Sequence, residues 1–266
     1  MPVNVSRRTL EFEKTGAHIG ILTLNRVEVA NAINTRMASE LLEFFVQLAE
    51  QHSELRCLVV TGAGKHAFCA GGDLKERSTM SVEGWSAQHT IMERAIVAML
   101  ECPIPIMAAV NGAAFGGGCE LALACDFIYA SATASFALTE TRLGIIPGAG
   151  GTQTFPRAVG TRRAIELICT AAPFDANEAF TWGLVNRVVP PERLLEETLT
   201  TAQKIAANAP LAVKQAKKSV RVGMQMDVHH GLQFAIEAYN RLVDTADRQE
   251  GVRAFIEKRV PAFSGR

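Results

Sequence analysis

The sequence carries no excess of charge: 27 lysines and arginines stand against 27 aspartates and glutamates, a formal net charge of zero. Without a global field the chain has no general attraction for nucleic acid or an anionic membrane, so a polyanionic ligand has to be held by local groups. Metal-type and redox-type spacings are missing as well. The six cysteines, Cys57, Cys69, Cys102, Cys119, Cys125 and Cys169, form no C-x-x-C pair and no Cys/His ligand pattern. Lying mostly inside apolar runs, they read as small buried thiols in a reducing compartment. No apolar run reaches membrane length unbroken, because Asn111 and Glu120 interrupt the stretch from Ile104 to Cys125. At the N-terminus Arg7 and Arg8 lead to Glu11 and Glu13 without an apolar signal core, so the expectation is a cytoplasmic chain with no membrane span. There is no G-x-S-x-G nucleophile elbow, no G-x-x-x-x-G-K-[ST] phosphate loop and no H-E-x-x-H. Low-complexity segments, linkers and fixed-period repeats are likewise not evident.

What is present can build a large core. The chain has 266 residues, 48% hydrophobic and 20% charged, enough for one α/β domain or one domain with an appendage. The runs 18–25, 55–62, 104–110 and 126–131 are short, apolar and bounded by turn residues, and are predicted strands. Between the first two, "TRMASELLEFFVQLAEQH" places Met37, Leu41, Leu42, Phe45, Leu48 and Ala49 on one helical stripe, with Glu40, Glu43 and Glu50 on other faces. Past Gly160 strand signals nearly vanish, while helical patterns run through 161–171, 176–182, 191–207, 210–222 and 228–258. The first two-thirds therefore reads as α/β and the last third as helical.

"GAGKHA", Gly62 to Ala67, follows a predicted strand and matches a dinucleotide fingerprint. That fingerprint requires a helix to start at once. Here Gly71 and Gly72 follow in "FCAGGD" and would disrupt its first turns, so a loop is expected.

Three glycine-rich stretches remain: "HAFCAGGDL" (66–74), "GGGCE" (116–120) and "ETRLGIIPGAGGTQ" (140–153), the last two bringing Glu120 and Glu140. Glycine lets a ligand approach the main chain closely, so two such turns at strand ends can offer two amides to one oxygen. That is the construction of an oxyanion hole, and a helix starting at the second turn adds its dipole. Glu120, one turn into that helix, would stand beside the polarised carbonyl. Each feature alone also has a structural reading: a dipole-favoured glutamate, a tight turn, a solvated surface acid. Their conjunction is what points to chemistry.

"FCAGGDLKE", "NGAAFGGGCELALACD", "ETRLGIIPGAGGTQ" and "DRQEGVRAFIEKR" together resemble, in order and over almost the whole chain, the enoyl-CoA hydratase/isomerase or crotonase family. The resemblance implies an α/β fold, a spiral of ββα repeats with an all-helical C-terminal extension. It implies a core over 1–200 carrying the active site and a trimerisation region over 201–266, assembled as a homotrimer or dimer of trimers. Coenzyme A would enter as part of an acyl-CoA substrate, with no separate cofactor and no metal. By position, the family's two oxyanion amides fall on Ala70 and Gly117 and its two catalytic glutamates on Glu120 and Glu140. Keeping both acids favours hydration of a trans-2-enoyl thioester over isomerisation, with dehydration of a branched or carnitinyl-CoA thioester as a further alternative. Coenzyme A is expected across Glu28 to Ala30 and the turn Ala67, Ala70, Gly71, Gly72, Asp73 and Leu74, and against Gly117. Phe255 and Lys258 would reach it from a neighbouring subunit. An acid at Glu28 departs from the basic residue common there. Within 76–95 and just beyond, Trp85, Met92 and Met99 are candidates for an acyl channel, helical core packing being the alternative. Lys214, Lys217, Lys218 and Arg221 cluster on one predicted helix; without interleaved aromatics they read as a solvated face, and neither nucleic acid nor membrane is expected as a partner.

Overall fold

The structure, a computed structural model, describes residues 9–51 and 54–266; Arg7, Arg8 and the expected helix end at His52 lie outside the described residues. Two strands begin the fold, β1 (Leu10–Thr15) and β2 (Ile19–Leu24), paired antiparallel with Leu10 opposite Leu24. The chain passes through a 3-10 turn and Ile33 into α1 (Thr35–Gln51). The pattern of two strands and a helix then recurs. β3 (Cys57–Gly62) and β4 (Ala67–Cys69) lead to α2 (Leu74–Arg77) and α3 (Val82–Glu101). β5 (Ile106–Val110) and β6 (Ala113–Phe115) lead to α4 (Gly117–Ala124). β7 (Phe127–Ser131) and β8 (Ser135–Ala137) lead to α5 (Gly151–Val159) and α6 (Thr161–Thr170). Then follow β9 (Phe174–Asp175), α7 (Ala176–Thr181), β10 (Arg187–Val189) and α8 (Leu194–Ala206). α9 (Pro210–Gly223), α10 (Val228–Val243) and α11 (Ala246–Ile256) complete the chain.

From β2 onward the first strand of each unit enters one sheet, ordered β1-β2-β3-β5-β7-β10 with β1 added beside β2, and the second enters another, ordered β4-β6-β8-β9; β9 and β10 extend the smaller and the larger sheet in turn. Apart from the β1–β2 and β8–β9 pairs the neighbours run parallel, so the chain winds as a spiral of ββα units. In the first unit the second strand is reduced to a single bridge between Ile33 and Gly72. The inner strands β2, β3, β5 and β7 of the larger sheet are buried on both faces, which is why they read as apolar runs, whereas β1 at the edge is largely exposed. Leu22, Leu58, Val60, Ile106 and Ala108 face the main core, while Ile21, Val59, Met107 and Tyr129 face α8 through Leu194 and Ala202. The expected boundary at 200/201 lies within α8.

Several expectations change. "GAGKHA" is a loop between β3 and β4, as read, with a strand and no helix following it. The stripe on α1 is rotated: Ala38 and Phe44 are buried and Ala49 is exposed. Phe44 packs on Phe12 of β1, a strand absent from the apolar runs above, with ring centroids 5.2 Å apart. Glu40 is also buried, accepting hydrogen bonds from Thr9 and pairing with Arg36. Cys169 is exposed, unlike the other five cysteines. The helical pattern 228–258 is two helices, divided where the Thr245 hydroxyl caps α11 by accepting from Arg248 N.

The basic cluster on α9 is a solvated face only in part: Lys218 is exposed, but Lys217 and Arg221 are not free. Lys217 Nζ donates to Ile104 O and pairs with Asp126, both at 2.7 Å. Arg221 pairs with the same carboxylate at 2.9 Å and donates to the carbonyls of Leu100 and Ala124. These bonds tie the C-terminal arm to the ends of α3 and α4. Beyond them the arm shows an apolar exterior, with Met224, Val228, Tyr239 and Phe255 exposed.

Candidate active site

Two chain corners build the site. β4 and β6 lie side by side, and each turns at glycines into a helix. Gly71 sits at φ +94°, where a Cβ would fall 2.7 Å from Phe115 O and 3.3 Å from Gly117 N. Gly116, at φ 51° and ψ −125°, would put a Cβ 3.1 Å from Glu140 Oε1. Side chains are excluded at both points, by backbone conformation and by lack of room. The result brings Gly72 N within 3.9 Å of the position a Cβ on Gly117 would take. Among the described residues, the amides of Gly72 and Gly117 have no hydrogen-bond partner. Gly117 is the first residue of α4, at the positive end of its dipole.

One expectation is corrected here. The Ala70 amide donates to Ala30 O at 3.0 Å, so it is engaged in joining two loops. The bridge between Ile33 and Gly72 leaves Gly72 as the unengaged amide, because the chain's bonds to Ile33 are made by Gly71 O and Asp73 N.

α4 is apolar on every side and therefore buried, and it carries Glu120 inward in its first turn, 3% exposed. Glu120 Oε1 accepts from Ala149 N at 2.7 Å and Gly151 N at 2.8 Å, which fixes the carboxyl. Burial nonetheless pushes its pKa from the ordinary 4.5 to about 7, with the Glu140 charge adding and the two amides opposing. Glu140, at the start of a 3-10 turn, is 8% exposed. Burial raises its pKa too, and among the described residues its Oε2 is the buried side-chain oxygen without a partner. Such an atom calls for a polar group of a ligand or water.

Both glutamates line one cavity of about 720 Å³ together with Ala70, Gly71, Gly72, Leu74 and Gly117. Trp85 and Met92 line it as well, whereas Met99 is fully buried in the core. Ala30, Ala67, Asp73, Phe255 and Lys258 are not brought to it within the chain. Ala67 is a buried strand residue whose carbonyl accepts from Asn31 Nδ2. Asp73 caps α2 and pairs with Arg26 at 2.9 Å; burial opposes its ionisation, but Arg26 and the Glu76 amide hold its pKa below the usual range. Phe255, 84% exposed, and Lys258 lie on the outer surface at the end of the arm. Sequence reasoning did not name Arg77, Gln88 or His89 on the same wall. The spacing Trp85, Gln88, His89, Met92 on one helical face of α3 points to Gln88 and His89, whereas Arg77 lies on the separate α2, where no such spacing marks it.

A family profile described as enoyl-CoA hydratase/isomerase matches residues 14–266. A short-chain-enoyl-CoA hydratase of Clostridium acetobutylicum is 40% identical over 96% of this chain and 97% of its own. An (E)-benzylidenesuccinyl-CoA hydratase of Thauera aromatica is 38% identical over 93% and 96%. The crystal structure of an enoyl-CoA hydratase from Bacillus anthracis superposes with a TM-score of 0.95 at 43% identity, covering 97% of this chain and all of that one.

Proposed function

The chain belongs to the enoyl-CoA hydratase/isomerase family, whose members act on acyl-CoA substrates, and from that premise we propose that it adds water reversibly across the 2,3 double bond of a trans-2-enoyl-CoA thioester. The observation that carries this reading is the pair of buried glutamates, both with raised pKa, facing one cavity beside two unengaged amides.

The thioester oxygen is received by the amides of Gly72 and Gly117, which oppose the negative charge that builds there as the enolate forms. One water lies between the carboxyl groups of Glu120 and Glu140. Its proton passes to the ionised carboxylate, its oxygen bonds to C3, and a proton from the other carboxyl is delivered to C2. Raised pKa values suit this division, since one acid has to hold a proton at neutral pH while its neighbour is ionised. The two titrate as a coupled pair. Coenzyme A enters as part of the substrate, and the scheme calls for no other cofactor. The exposed apolar side chains of the C-terminal arm support a trimer or dimer of trimers, in which Phe255 and Lys258 reach coenzyme A on a neighbouring subunit. A cytoplasmic setting remains part of the proposal.

The acyl group is open, since the named relatives include one acting on a short-chain enoyl thioester and one on benzylidenesuccinyl-CoA, a half-thioester that keeps a free carboxylate. The test is incubation with a trans-2-enoyl-CoA, following loss of the conjugated enone absorbance and identifying the product. A 3-hydroxyacyl thioester is expected without added nucleotide, and Glu120→Gln and Glu140→Gln are each expected to lower the rate strongly. Their effects should not add in the double variant. Accumulation of a shifted double bond alone would make the protein an isomerase.

A further inference from the structure

Among the described residues lining the cavity, Arg77 is the only arginine or lysine. Its guanidinium is fixed on three sides. Nε donates to Gln88 Oε1 at 2.8 Å. Gln88, 3% exposed, is itself oriented because its Nε2 donates to Thr35 Oγ1 and Glu76 Oε2, each at 2.7 Å. One face of the guanidinium lies over Trp85, with Cζ 4.8 Å from the ring centroid. It also lies against Gly72, where an added Cβ would fall 2.9 Å from Cζ and Nη1.

No carboxylate answers this charge at contact distance: among the described residues Arg77 forms no ion pair within 4.0 Å, and its Nη1 and Nη2 have no hydrogen-bond partner. Glu76 accepts from Thr35 N and Gln88 rather than from Arg77, and acts on the guanidinium only through its field, as Glu120 and Glu140 do. Burial disfavours the charged form. A partly desolvated guanidinium is costly unless paired, and its free end matches a carboxylate through two parallel N–H groups. A hydrocarbon acyl chain would bury the cation further and give it no acceptor.

We propose that the preferred substrate carries a free carboxylate on a short acyl group, besides the thioester, and that the Nη1 and Nη2 groups of Arg77 receive it. The site is then selective for an enoyl-CoA that is a diacid half-thioester. Arg77 is a specificity-determining residue. This rests on the hydratase reading of the same cavity, but the carboxylate contact can be measured without turnover.

The experiment compares binding of glutaryl-CoA with that of its C5 carboxamide by calorimetry. Both are saturated and unreactive, nearly equal in shape, and differ in charge. A bond between charged partners predicts ~10- to 100-fold tighter binding of the carboxylate in the unmodified protein. Arg77→Met should bring that ratio close to one and Arg77→Lys should keep part of it. Equal affinities in the unmodified protein, or a preference that survives Arg77→Met, would overturn the proposal. Hydration of crotonyl-CoA and glutaconyl-CoA then reads the catalytic proposal separately. If Arg77 served only the ionisation of the glutamates, Arg77→Met would slow both substrates by the same factor and leave the binding ratio unchanged, again overturning the proposal.

Discussion

A buried acid whose proton is held too tightly makes the fold weaker as pH rises, and Glu120 provides a measurable case. Its carboxyl titrates near 4.5 in the unfolded chain and at about 7 in the folded one. Below pH 4.5 it is protonated in both states and contributes nothing. Between the two values the unfolded chain releases the proton while the folded chain retains it, so unfolding is progressively favoured; above about pH 7 the deficit is complete. At about 1.36 kcal/mol per pH unit, the deficit comes to about 3 kcal/mol. Glu120→Gln removes the titration and keeps an oxygen able to accept from the Ala149 and Gly151 amides. Urea unfolding of the two proteins, followed by circular dichroism, should therefore give similar stabilities at pH 4.5. At pH 8 the glutamine variant should be the more stable by about 3 kcal/mol. A stability difference that stays constant across this range would refute the assignment of the strained proton to Glu120.

Two other substitutions probe the backbone and the arm. Gly117→Pro removes the amide proton at the first position of α4, where proline is tolerated. Turnover should fall roughly 10²- to 10³-fold while binding of a saturated thioester changes far less; a folded variant with undiminished turnover would remove this amide from the mechanism. Asp126→Ala leaves Lys217 and Arg221 without their shared carboxylate, and denaturant unfolding should show a loss of about 3 kcal/mol.

Much of this architecture is legible in the sequence because the inner strands of the larger sheet are buried on both faces. β2, β3, β5 and β7 announce themselves as apolar runs bounded by turn residues. The strands of the second sheet do not, since β4, β6 and β8 have three residues each and blend into the glycine corners they support. Repeats were likewise invisible by period, as the units begin at 19, 57, 106 and 127 and differ widely in length. Glu120 and Glu140 could be picked out as acids in apolar surroundings. The choice between Ala70 and Gly72 could not, because it depends on which amide Ala30 engages across the loops. The pairing of Lys217 and Arg221 is not legible for a similar reason: Asp126, their partner, lies far away in sequence.

α4 has eight residues and is only about 12 Å long. Glu120 occupies its first turn, and the Ala124 carbonyl at its last residue is gripped by Arg221 of the C-terminal arm. A rod this short, held in close-packed surroundings, does not bend; it moves as a body or not at all. A load on the arm at Arg221 would therefore reach the carrier of the acid through that carbonyl, outside the lining of the cavity. Such a coupling runs equally in both directions: if docking of the arm sharpens affinity for the thioester by some factor, the thioester strengthens docking of the arm by that same factor.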